Sequence, residues 1–358
     1  MSRFLGKTAA SISPYVPGEQ PQDKSYIKLN TNECPYPPSP MVKLALADFD
    51  YCSLSRYPDP DSAAVHQSMA EYYGLPVSRV IAGGGSDELL GFAFMAFSSP
   101  GDKVYFADIS YGFYRVYADL FGLEAVEIPL LEDFTIRCSD YYRLDGSIFI
   151  ANPNAPTGIA LNPREIEEIL RRNPDRVVVV DEAYVDFALG YTCIPLIDKY
   201  DNLLVVQTFS KSRSLAGMRL AFAFGQEGLI DGLKRIKFSF NPYNIDRVSG
   251  AVCIAAMQDR AYFDETVKRV IATRERSADA LDKMGCEILP SRSNFLFVSH
   301  PAMTGKDLYD KLRENSVLVR HFSKPRIDRF VRLSIGTDEE MDICLAIMAR
   351  LIKEAAHA

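Results

Sequence analysis

The sequence predicts an α/β fold built on a mainly parallel β-sheet, followed by a smaller α+β domain. Three observations carry that reading. Between about residues 55 and 245, short β-branched or aromatic runs alternate with longer helical patterns, which is how strand–helix–strand units read. Within this region VVVV (177–180) is apolar at every position rather than at every second one, as suits a strand covered by helices on both faces. Beyond about residue 250 the pattern changes to one long helical stretch and then to strands mixed with helices.

The elements follow in chain order. The first 50 residues carry Pro14, Pro17, Pro21, Pro35, Pro37, Pro38 and Pro40, so they read as an arm that packs on something else, and an arm of that length can reach a partner subunit. Strands are expected at 79–83, 103–108, 147–152, 176–181, 203–208 and 220–225. Helices are expected at 86–98, 113–121, 163–172 and 228–237, the third opened by Asn162 as N-cap and Pro163 as first helical residue. After these come a long helix over 262–284, strands near 295–298 and 330–335, and helices near 305–314 and 338–355. The expected organisation is an arm with part of the small domain (1–50), a large domain (51–250) and a C-terminal small domain (251–358).

Composition removes several classes of function. A net charge of −7 disfavours a general nucleic-acid or anionic-membrane surface. The N-terminal residues lack the continuous apolar core of a signal peptide, and no apolar stretch approaches the roughly 20 residues that cross a bilayer, so the expected location is the cytoplasm. Seven scattered cysteines without a C-x-x-C pair signal neither a disulfide framework nor a zinc site. The four histidines are far apart in sequence, so no metal centre is expected.

In open α/β sheets ligands bind beyond the carboxyl ends of the strands, so chemistry is sought there. GGGSDELL (83–90) is a glycine turn opening a helix, with Ser86 and Asp87 at its start; such a turn can cradle a phosphate or be only a turn. Tyr111 in ISYGFY either fills core or offers a planar ligand a ring to stack on. ANPNAPTG (151–158) makes a rigid turn whose asparagines bind a ligand or brace the loop. Asp181 follows four valines, where a carboxylate is expensive to bury without a partner, and Tyr184 lies one helical turn on. Lys211 ends the LLVVQTFSK stretch near Thr208, Ser210 and Arg219. A lone lysine is ordinarily a surface charge. A phosphate cradle, an aromatic plate, an acid behind a hydrophobic strand and a lysine on one rim match the needs of pyridoxal 5′-phosphate.

The motifs LNTNECPYPP (29–38), RYPDP (56–60), GGGSDE (83–88), SYGFY (110–114), NPNAPTG (152–158), DEAYVDF (181–187), TFSKSRSLAGMR (208–219) and VRLSIGT (331–337) span nearly the whole chain. In this order and spacing the chain resembles the fold-type I pyridoxal-phosphate aminotransferases, and within them the histidinol-phosphate aminotransferase family. The resemblance implies a seven-stranded, mainly parallel sheet and a homodimer with shared active sites. It implies that Lys211 carries the cofactor covalently, that Asp181 keeps the pyridine nitrogen protonated, that Tyr111 stacks on the ring and that Tyr184 contacts the phenolic oxygen. The phosphate falls to Gly85, Ser86, Asp87, Thr208, Ser210 and Arg219, and to Tyr57 of the neighbouring subunit. Tyr15, Asn32, Arg320 and Arg332 are implied on the substrate side.

The chain departs from the family pattern N-P-x-N-P-T-G. Ala155 stands where the family has the asparagine that contacts the phenolic oxygen, and an asparagine stands one place earlier, so either Asn154 takes over that contact or Tyr184 makes it alone. The implied reaction moves the amino group of L-histidinol phosphate to 2-oxoglutarate. A threonine-phosphate decarboxylase-like lyase and an aromatic or broad-specificity aminotransferase share every cofactor residue and remain alternatives. A dinucleotide oxidoreductase leaves Lys211 and Asp181 without roles.

Overall fold

The computed structural model describes residues 2–357. Met1 and Ala358, the outermost residues of the expected arm and small domain, lie outside them. The arm carries a short helix, Lys7–Ser11, and the two-residue strand β1 (Ile27–Lys28).

Seven strands form the main sheet: β2 (Val80–Gly83), β3 (Lys103–Ala107), β4 (Glu124–Ile128), β5 (Ser147–Ala151), β6 (Val178–Asp181), β7 (Leu203–Thr208) and β8 (Ala221–Gly225). They lie in the order β2-β8-β7-β6-β5-β3-β4. Only β8 runs against the rest, pairing antiparallel with both β2 and β7. Six of these strands coincide with the runs expected from sequence. The seventh, β4, is the half-exposed edge strand EAVEI, whose two glutamates disguise it because an edge strand needs only one apolar face.

The valine run divides as an all-buried strand must. Val178 and Val180 enter one core layer and Val179 the other, so each face needs its own cover. Ile166, Ile169 and Leu170 of helix Pro163–Arg172 cover the first face. Leu89, Leu90 and Phe94 of helix Ser86–Phe97 and Tyr114, Tyr117 and Ala118 of helix Phe113–Phe121 cover the second. Helix Pro163–Arg172 begins where expected because Asn162 accepts from Arg164 N at 3.0 Å while Glu165 accepts from Asn162 N at 2.7 Å, a capping box. Helices Pro40–Ala47, Ala63–Tyr73 and Arg247–Gln258 were not expected. The third is rich in small residues, which blurs its apolar face, and the second lacks a side-chain cap.

The remaining strands are β9 (Glu287–Ile288), β10 (Phe295–Ser299), β11 (Val317–Leu318), β12 (Arg320–His321) and β13 (Val331–Ser334). Strands β12, β13, β10 and β9 form an antiparallel sheet packed with helices Arg260–Lys283 and Asp338–Ala356. Strand β1 pairs in parallel with β11, and Leu29 joins this second core, so the arm is stitched to the C-terminal part of the chain. Among the described residues no helix is long and apolar enough to cross a membrane.

Chain direction fixes where chemistry can gather. Register pairs Asp181 with Ala151 on one side and Val206 on the other, and Ala221 with both Thr208 and Gly83. The ends of β2, β5, β6 and β7 and the start of β8 therefore share one rim. The sheet also tolerates no side chain at Gly146, where an added Cβ would lie 1.9 Å from the Lys103 carbonyl oxygen. Gly146→Ala is expected to lower stability by about 1–3 kcal/mol through the overpacking this forces between β3 and β5. Urea unfolding checks this, and an unchanged midpoint contradicts it.

Candidate active site

Two cavities open on the rim, of about 500 and 410 Å³. They share Thr31, Tyr111, Ala155, Tyr184 and Lys211 as walls, so they are two halves of one cleft. One half holds Asp181, Thr208, Ser210 and Arg219; the other holds Tyr15, Asn32, Arg320 and Arg332.

Asp181 ends β6 and is buried. Its carboxylate accepts from Tyr114 Oη at 3.0 Å and Ala183 N at 3.1 Å. Burial outweighs these bonds and raises its pKa to about 6, since neutral donors replace water only in part. Lys211 is half-buried and donates to the Thr31 carbonyl at 3.0 Å. Burial, then the Arg332 guanidinium, lower its amine to about 8, which increases its neutral, nucleophilic fraction.

The turn before helix Ser86–Phe97 forms an anion cradle. Gly85 sits at φ +100° and an added Cβ would meet Arg219 Nη2 at 2.5 Å, so backbone and guanidinium converge where only glycine fits. The first-turn N–H groups of Ser86 and Asp87 have no carbonyl of their own helix to bond. Thr208 Oγ1 and Ser210 Oγ lie 3.0 Å apart beside them. The Asp87 carboxylate holds the cradle together, accepting from Tyr111 Oη at 2.6 Å and Arg219 Nη2 at 3.1 Å. Burial, followed by this carboxylate, raises the Tyr111 phenol far above its ordinary value.

Across Lys211, Arg332 donates to the Asn30 carbonyl at 3.0 Å, while its Nε is buried with no partner. Its guanidinium stands 5.3 Å and 5.6 Å from the ring centroids of Phe295 and Phe322. An unpaired donor in such a place fits an anionic ligand. Arg320 donates to the carbonyls of Val16 (2.9 Å) and Pro17 (3.1 Å) of the arm, and Tyr15 stacks on Phe113 at 4.4 Å. Asn32 donates to Tyr184 Oη at 3.0 Å and is itself fixed by Ser334.

Two expected residues stand elsewhere. Asn154 is turned into its own loop: its Oδ1 accepts from Ser110, and its Nδ2 donates to the Ile109 carbonyl and Thr157. Both of its N–H groups are used in bracing the loop, and Ala155 lines the cleft. Tyr57 is a wall of neither cavity and is exposed. Tyr114 was missed although it lies in the SYGFY motif, because its role depends on the helix Phe113–Phe121 turning its ring under Asp181. Thr31 was missed because it acts through a carbonyl, which any residue carries.

A family model for aminotransferase class I and II matches residues 24–347. The chain belongs to the class I and II aminotransferase family. Among relatives of this aminotransferase chain, the histidinol-phosphate aminotransferase of Brachyspira hyodysenteriae is 53% identical over 99% of this chain and 100% of its own length. That of Marinomonas sp. is 51% identical over 98% and 100%. The crystal structure of histidinol-phosphate aminotransferase from Sinorhizobium meliloti in complex with pyridoxal-5′-phosphate superposes with a TM-score of 0.89 at 23% identity, covering 99% of each chain. At that identity it speaks for the fold.

The cradle, the buried acid and the depressed lysine fit pyridoxal phosphate. The donors at 85–87, 208, 210 and 219 would suit its phosphate, and a protonated ring nitrogen would give the buried Asp181 a cationic partner. Because the folded pKa of Asp181, about 6, exceeds its ordinary 3.8, its contribution to stability is present at low pH and is lost as pH rises through about 6. Asp181→Asn is therefore expected to stabilise the ligand-free protein above neutral pH by up to about 3 kcal/mol. Urea unfolding across the pH range measures it, and a destabilised variant shows that the carboxylate is already satisfied.

Proposed function

We propose that this chain is a pyridoxal-phosphate-dependent histidinol-phosphate aminotransferase of histidine biosynthesis, moving the amino group of L-histidinol phosphate to 2-oxoglutarate. The observation that carries this is the place of Lys211 in the wall shared by the two half-cavities, with an acid and an anion cradle on one side and two arginines on the other. Relatives about half identical over their full length bear that enzyme's name, which supports the choice of donor.

Gly85, Ser86, Asp87, Thr208, Ser210 and Arg219 would hold the cofactor phosphate, with Asp181 at its ring nitrogen, Tyr111 against its ring and Tyr184 at its phenolic oxygen. When bound, pyridoxal phosphate supplies an electron-poor ring that takes up the electron pair left when the donor α-carbon loses its proton. Lys211 removes that proton as a neutral amine, a role its lowered pKa favours, and positioned acid–base transfer is worth about 10²–10⁴ in rate. Asp181, as a carboxylate, would hold the proton on the ring nitrogen. Tyr114 and the Ala183 N–H keep the Asp181 carboxylate in line. Arg332 and Arg320 bind the phosphate of the donor or the carboxylates of 2-oxoglutarate, since a guanidinium fork suits both. Tyr15 and Asn32 complete the wall around them.

The protein is proposed to work as a cytoplasmic homodimer. Seven free cysteines fit a reducing compartment. Tyr57, exposed and outside both half-cavities, suits a residue that serves the site of a second subunit.

Two measurements test this reading. In single turnover, L-histidinol phosphate should convert the bound cofactor to its amine form faster than L-phenylalanine or L-threonine phosphate does; no reaction with histidinol phosphate refutes the proposal, and carbon dioxide release from threonine phosphate would favour the lyase. Arg332→Met should lower kcat/KM by about 100-fold, equivalent to about 2.7 kcal/mol, while leaving the cofactor spectrum unchanged. Lys211→Ala should instead abolish the borohydride-reducible cofactor band.

A further inference from the structure

The loop at 56–60 is held in an unusual way for a surface segment. Arg247, first residue of helix Arg247–Gln258, donates from Nε to the Arg56 carbonyl at 3.1 Å and from Nη2 to the Tyr57 carbonyl at 2.7 Å. Lys237, from helix Glu227–Phe240, donates to the Pro60 carbonyl at 2.6 Å and is itself 1% exposed. Two cations from two helices thus spend their charge on three backbone carbonyls of a five-residue loop. Charge-assisted bonds of this kind are about twice as strong as neutral ones, and the carboxylates of Asp61, Glu88 and Asp59 help to keep the Lys237 ammonium charged.

The side chain so fixed points outward. Tyr57 is 76% exposed, and its ring stacks on Tyr243 with centroids 4.5 Å apart at 19°. Here the backbone is pinned from beneath and the ring from one side, so its rotamer is set before any contact is made, which lowers the entropy lost on binding.

We propose that Arg247, Lys237 and Tyr243 are positioning residues that act in trans, fixing the 56–60 loop so that Tyr57 is presented to the cofactor phosphate in the active site of a second copy of this chain. The inference rests on the proposed shared-site homodimer and adds which residues of one subunit tune the site of the other. Arg247 orients two consecutive peptide groups, Tyr243 the ring, and Lys237 the exit of the loop.

Complementation between variants tests it. A heterodimer carrying Lys211→Ala in one subunit and Arg247→Met in the other is made by co-expression with two tags and isolated by both. The site that keeps Lys211 then receives Tyr57 from the subunit with an intact Arg247. Arg247→Met homodimers are expected to bind pyridoxal phosphate about 10-fold more weakly and to lose activity in step, whereas the heterodimer should recover about half of wild-type activity, because one of its two symmetry-related sites is whole. Activity that stays at the Arg247→Met level in the heterodimer overturns the proposal, since Arg247 then acts within its own subunit. Wild-type cofactor affinity in the Arg247→Met homodimer also overturns it. The parallel heterodimer of Lys211→Ala with Tyr57→Phe separates the two readings: failure of that pair to complement refutes the shared site itself. Tyr243→Ala, which removes the ring contact and no buried charge, repeats the comparison if Arg247→Met does not fold.

Discussion

A carboxylate buried at the end of a central strand, with only neutral donors beside it, constrains everything around it. Asp181 sits on β6, fourth of seven strands, and water is kept from it by β5 and β7 on either side. Its two bonds, from Tyr114 and Ala183, do not prevent its pKa from rising to about 6. A fold that places an acid there is stable without a ligand only at some expense, and a protonated heterocycle relieves it. Parallel strand direction then brings the glycine turn, the serine and threonine hydroxyls and Lys211 to the same rim, so on the proposed reading relief of the acid and capture of the phosphate would occur together.

The sequence made the sheet legible because its strands are apolar on both faces, and the rim legible because motifs end those strands. It was weakest where structure depends on partners distant along the chain. The edge strand β4 carries glutamates that only its position excuses. The helix Arg247–Gln258 is held by packing against Val42 and Val65, which no local pattern announces. In the site, residues acting through charge or a ring were readable, whereas Thr31, acting through its carbonyl, was not. Asn154 shows a related limit: an asparagine beside a motif position says nothing of which side of the loop it faces, and here it makes three hydrogen bonds within the protein.

The arm draws the two parts of the molecule together. It crosses the rim at Tyr15 to Pro17, where Arg320 holds the carbonyls of Val16 and Pro17, pairs β1 with β11, and then supplies the Thr31 carbonyl to Lys211 and Asn32 to Tyr184. Residues early in the chain thus set the orientation of groups that belong to strands formed much later. A sequence region without a strong element of its own becomes the roof of the site.

The shared wall between the half-cavities has one further consequence. Thr31, Tyr111, Ala155, Tyr184 and Lys211 each face both sides, and a single amine cannot attend to two ligands at once. On the proposed reading one half is filled by the cofactor, which leaves the arginine-lined half as the single place for donor and acceptor, so the two would use it in turn. The two co-substrates would then compete for one berth rather than meet in it.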